Sequence, residues 1–135
     1  MREQRRPSVS HDAIESMLAS RQSKWTLIVV LHLRRDTRRF TELQRDIGSI
    51  SQKALTQSLR ALERDGFVSR TSYATIPPRV DYALTELGFE ALKAFEAFEA
   101  FAARHWQSVL EARALFDARD ADGFEQPVLR LSTGR

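Results

Sequence analysis

Residues 49–66 read SISQKALTQSLRALERDG. At 100° per residue, Leu55, Leu59 and Leu62 fall within a narrow arc, while Lys53, Gln57, Arg60 and Arg64 lie roughly opposite and Thr56 sits on the flank. Ser51 is a suitable N-cap and Gly66, after Asp65, a suitable stop, so the spacing predicts a helix between them. One side of that helix is ordinary core. The other carries side chains able to meet a base edge or grip a phosphate.

Upstream, Thr41 is expected to cap a short helix, ELQRDI, which Gly48 ends. A basic turn, Arg34 to Arg39, precedes it, and before that KWTLIVVLHLRR is apolar on nearly all sides, a central buried helix from Ser23 to about Arg35. HDAIESMLAS, from about Ser10 to Ser20, sets Ile14, Met17 and Leu18 on one helical face. Downstream, FVSRTSY and RVDYALT predict two strands, with Val80, Tyr82 and Leu84 alternating with Arg79, Asp81 and Ala83. Between them, ATIPP holds two prolines that fix φ and donate no N–H, so it forms a stiff hairpin tip. Thr85 to Gly88 opens a long helix, expected to reach about Arg119. Its apolar stripe includes Phe95, Phe98, Phe101 and Trp106. At about thirty residues it outruns a small domain, so part of the stripe needs another partner, and an isologous dimer supplies one.

A chain of 135 residues fits one domain with a helical extension. The expected division is a flexible basic arm at 1–9, a domain at 10–119 containing the terminal dimerisation helices, and a loose tail at 120–135. Cysteine is absent, which excludes disulfides, thiolate metal sites and thiol redox sensing. The longest apolar run, Trp25 to Leu33, is too short to span a bilayer, and the first residues lack an apolar signal core. The expectation is a cytoplasmic protein, nucleoid-associated when bound to DNA, with no membrane partner. Residues 1–85 hold 15 Lys/Arg against 9 Asp/Glu, whereas residues 86–135 hold 6 against 9. A basic front and an acidic back suit a polyanion at the front.

Helix, helix, short helix, helix, hairpin, long helix is the order of a winged helix-turn-helix. The expected fold class is α+β, mostly α, with a two-stranded wing and N- and C-terminal dimerisation helices. The helix from Ser51 would enter a major groove, with its amides and Ser51 favouring phosphate. Candidate DNA-binding residues are Ser51, Gln52, Lys53, Thr56, Gln57, Arg60, Arg70 and Arg79. Arg79, at the stiff tip of the wing, is expected to be its principal DNA contact and to enter the narrower minor groove; the alternative is that it pairs with Asp81, or another nearby carboxylate, and only braces the hairpin. Candidate dimer residues are Ile14, Met17, Leu18, Phe95, Phe98, Phe101 and Trp106. His11, His32 and His105 share no metal-binding spacing, and Glu96 with Glu99 has no nucleophile beside it, so neither a metal, a cofactor nor an enzyme activity is expected. Trp25 is assigned to core or dimer packing. The competing reading is a winged-helix module for protein–protein contact, with an incidental basic face.

The segments KWT, RRFTEL, ISQKALTQSLRALERDGFVSR and PPRVDYALTELG, spread over about Ser23 to Gly88, together resemble the HxlR-type winged-helix transcriptional regulators. The resemblance implies a homodimeric bacterial regulator of an operator in double-stranded DNA. The ISQK helix, with Lys53, Thr56, Gln57 and Arg60, would lie in the major groove, and the PPR hairpin, with Arg79, would be the wing. Many such proteins carry a cysteine just before the region matching residues 13–24. SVSHDAIESMLASRQSKW has none, so any small-molecule effector would act without a thiol, and nothing in the sequence names it.

Overall fold

The computed structural model describes residues 11–18 and 23–122; the expected basic arm, residues 19–22 and the tail from 123 lie outside the described residues. The elements are α1 (His11–Leu18), α2 (Ser23–His32), β1 (Arg38–Arg39), α3 (Phe40–Ile47), α4 (Gln52–Arg64), β2 (Val68–Tyr73), β3 (Arg79–Leu84) and α5 (Glu86–Asp122). Two compact units divide the chain, Met1–Glu96 and Ala97–Arg135. The core lies in the first. Val29, Val30 and Leu33 from the apolar α2 segment meet Leu43 of α3, Leu55, Leu59 and Leu62 of α4, Val68 and Leu84 of the sheet, and Leu92 of α5.

The sheet is antiparallel, in the order β1-β3-β2. β1 is a third strand where a basic turn was expected. Arg38 pairs with Tyr82 and Arg39 with Asp81. This pairing explains two shifted boundaries. α2 ends at His32, three residues before Arg35, because the chain must leave the helix to reach the sheet. Its last turn tightens, with the Leu33 N–H shared between the Val29 and Val30 carbonyls at 3.1 Å. α3 begins at Phe40 without a side-chain cap, since the N-cap position is held by the strand residue Arg39, whose side chain has no acceptor, and Thr41 falls inside the helix.

Gly48 ends α3 at φ 78°, a left-handed backbone that glycine enters without a Cβ penalty. Ser51 caps α4 as expected, its Oγ accepting from the Ala54 N–H at 3.1 Å. Thr85 caps α5, its Oγ1 accepting from the Gly88 N–H at 3.0 Å. The 37-residue α5 runs three residues beyond Arg119. At the wing tip the Ile76–Pro77 peptide is cis, and the Thr75 hydroxyl donates to the Pro77 carbonyl at 2.8 Å.

Candidate nucleic-acid interface

α4 has the two faces that its spacing predicts. Leu55, Leu59 and Leu62 are fully buried. Gln52, Lys53, Thr56, Gln57, Arg60 and Arg64 are exposed, as is the capping Ser51. Ser58 joins the buried face at i+3 from Leu55, its hydroxyl satisfied by the Ala54 carbonyl at 2.8 Å. The exposed Thr56 hydroxyl likewise donates to the Gln52 carbonyl at 2.8 Å, which leaves its oxygen lone pairs and methyl group to meet a ligand.

The sheet packs beside this helix and leaves a cleft of about 490 Å³ lined by Gln52, Thr56 and Arg60 on α4 and by Phe40, Arg70 and Tyr82 opposite. Arg70 faces Tyr82 across β2 and β3, and its Nη1 donates to the Ser72 hydroxyl at 3.0 Å. Two guanidinium groups thus border one groove, with Glu63 the carboxylate among its lining residues. The sequence pointed to Arg60 and Arg70 separately; the register of β2 on β3 is what brings them to one cleft.

Arg79 pairs with Asp81 on its own strand. Its Nε and Nη2 donate to the two Asp81 carboxylate oxygens, each at 2.9 Å, and its guanidinium lies 5.4 Å from the Tyr73 ring centre. These bonds hold the Asp81 carboxyl below its ordinary range and raise the Arg79 pKa. Asp81 is therefore not the outward residue of a simple alternation. It is only 8% exposed, covered by Arg79 and facing Arg39 across the strand pair. Strand periodicity sees only polarity, and a carboxylate with a bidentate partner can be buried. The pair uses one edge of the guanidinium and leaves the Nη1 edge for an outside acceptor.

Part of the basic front is also internally matched. Arg38 Nη1 lies 3.4 Å from Asp46 and 3.7 Å from Glu42, and Arg39 Nε lies 3.9 Å from Glu42. These arginines tie β1 to α3, and no sequence signal separated them from the cations of α4.

Of the candidate dimer residues, Ile14 and Met17 are exposed and line an apolar cleft of about 800 Å³ together with Leu27 of α2 and Phe95 of α5. The Leu18 side chain lies outside the described residues. Phe95 packs against the core of its own unit, as does Trp25, so Phe95 is less available to a partner than the stripe suggested. In the second unit Phe98, Phe101 and Trp106 are each half or more exposed. The Phe98 ring centre lies 6.3 Å from that of Phe101 on the same helix. Among the described residues no helix is long and apolar enough to cross a membrane, and no group of three His, Asp or Glu gathers to hold a metal.

The description "HxlR-like helix-turn-helix" matches residues 21–109. The chain is 50% identical over 66 residues to an uncharacterised helix-turn-helix-type transcriptional regulator, YtfH, of Escherichia coli, covering 49% of this chain and 52% of YtfH; it thus spans about half the length of that relative. It is 35% identical over 112 residues to a second uncharacterised regulator of that type, YtcD of Bacillus subtilis, covering 78% of this chain and 89% of YtcD. In solved structures, the putative transcriptional regulator ytfH from Salmonella typhimurium superimposes with a TM-score of 0.65 at 36% identity, over 76% of this chain and 89% of that one. The match spans the buried helix, the helix-turn-helix, the wing and the start of the long helix, and with it the chain belongs to the HxlR-like helix-turn-helix family.

Proposed function

We propose that the protein is a homodimeric, sequence-specific DNA-binding transcriptional regulator. The observation that carries this reading is the exposed polar face of α4, backed by a fully buried leucine face and bordered by the cleft between Arg60 and Arg70. α4 has the dimensions to enter a major groove, and its amino-terminal half carries the side chains that would reach deepest: Gln52, Lys53, Thr56 and Gln57. Arg60 and Arg70 would hold the phosphate ridge beside that groove, and Arg79, steadied by Asp81, would offer its Nη1 edge to the backbone near the wing. Ser51 caps the helix by accepting from the Ala54 N–H, and the amides of Gln52 and Lys53 ahead of it would face a phosphate. The exposed Ile14, Met17, Phe98, Phe101 and Trp106 support a second copy as the other partner. The family membership supports a non-enzymatic role.

Selection of bound duplexes from a random-sequence pool tests the reading. Recovered sites should be two-fold symmetric, with half-site centres about one helical turn or a small multiple apart. If each protomer neutralises about four phosphates, log K against log salt should fall with a slope of about −7 for the dimer. A flat salt response with no enriched sequence would favour the protein-contact module instead.

A further inference from the structure

The wing carries two arginines, and both are turned back onto the hairpin: Arg70 to the Ser72 hydroxyl and Arg79 to the Asp81 carboxylate. The tip, residues 74–78, is exposed throughout, and within it Ile76 is the large apolar side chain, fully exposed. Singly exposed apolar side chains are ordinary on protein surfaces. This one differs in where it stands and how it is held. It sits at the end of two six-residue strands, about 20 Å from the base of the hairpin. It precedes two prolines whose rings fix φ, and the backbone on either side of it is tied by the Thr75 hydroxyl donating to the Pro77 carbonyl. An apolar group on so restrained a tip loses little conformational entropy on docking.

We propose that Ile76 is an apolar wedge that enters the minor groove of the DNA bound by α4 and opens or bends the duplex at a base step. The inference rests on the DNA-binding reading and deepens it. With α4 in the major groove, the cleft between Arg60 and Arg70 takes the phosphate ridge, and the hairpin beyond that ridge reaches the neighbouring minor groove. Isoleucine belongs to the side chains that partly unstack base steps from that side. The step most easily opened is a pyrimidine–purine step such as TA or CA, so the wing would contribute preference without a hydrogen bond to a base. Arg79, held on Asp81 near the tip, would meet the phosphates flanking the opened step.

The test uses the full chain and duplexes recovered by the wild-type protein from a random pool, with 2-aminopurine placed at the step facing the wing. Ile76→Ala should bind roughly tenfold more weakly and lose the fluorescence rise that reports unstacking. Its slope of log K against log salt should equal that of wild type, because no cation is lost, whereas Arg60→Ala should lower the slope. Ile76→Met should retain binding and unstacking. Replacing the TA or CA step by GG should weaken wild type and leave Ile76→Ala unchanged. Equal affinity and equal fluorescence for wild type and Ile76→Ala, with Arg60→Ala impaired, would overturn the wedge while leaving the DNA reading intact. Failure of wild type to enrich any duplex would remove both.

Discussion

A Cβ added at Gly88 would stand 2.0 Å from the Phe67 carbonyl oxygen, with the Leu84 Cβ at 3.3 Å. Neither the backbone carbonyl nor a buried strand residue can step aside, so glycine here is what lets the first turn of α5 lie on the end of the sheet. Gly88→Ala should therefore destabilise by at least about 1–3 kcal/mol, measured by denaturant unfolding. Asp81 gives a second prediction, with a sign set by linkage. Its carboxyl is held below the ordinary value of 3.8, first by the hydrogen bonds from Arg79 and also by the charges of Arg79 and Arg39, while burial opposes them. A depressed carboxylate contributes stability above its unfolded pKa and loses it as pH falls through its folded value. Wild type should thus lose thermal stability on acidification below about pH 4 more steeply than Asp81→Asn, and the two curves should converge at low pH. Parallel curves would mean that the pair does not brace the hairpin.

At the scale of the element, α4 separates its two tasks by face. Lys53, Gln57 and Arg60 are exposed, so Lys53→Ala, Gln57→Ala and Arg60→Ala should each change stability by less than about 0.5 kcal/mol. Each lost base-edge contact should cost about 1–3 kcal/mol of discrimination between selected and random DNA. Competition titrations with the two duplexes measure it. Full discrimination in all three variants would move the reading role off this helix. Leu59→Ala, on the opposite face, should instead destabilise by about 2–5 kcal/mol, because the side chain is fully buried among Leu55, Leu62 and the sheet.

For the whole molecule, the exposed aromatic stripe of α5 is the feature that asks for a partner. Phe98 and Phe101 are both more than half exposed, and Trp106 is half exposed with Arg113 5.2 Å from its ring centre. Sedimentation at micromolar concentration should show a dimer, and Phe98→Glu with Phe101→Glu should shift it to monomer. Phe95 should not be exchanged in that experiment, since it packs on the core of the first unit and its loss would also lower stability. A folded wild-type monomer at that concentration would remove the dimer from the proposal.

The order of helices and the wing, the cap at Ser51, the start of the long helix near Thr85, and the polar face of α4 were legible in the sequence, whereas the cap expected at Thr41 was not where α3 begins. Each legible feature is a local matter of helical period, turn chemistry or strand alternation over a few residues. The quoted stretch alone carried most of it, because a leucine every three or four residues leaves only one way to face the core. Tertiary structure decided what depends on partners distant in sequence. β1 is two residues long and has no period of its own; Arg38 and Arg39 become a strand only because β3 offers its open edge. Asp81 is buried because Arg79 lies two residues before it on the same strand face and Arg39 lies opposite. Ser58 occupies a core position that its polarity hid, made tolerable by a bond to its own helix backbone. Arg60 and Arg70 come to share a cleft only when the sheet closes on α4, which no count of charge along the chain can supply. Local pattern fixes the faces of elements, while the pairing of charges waits on which faces meet.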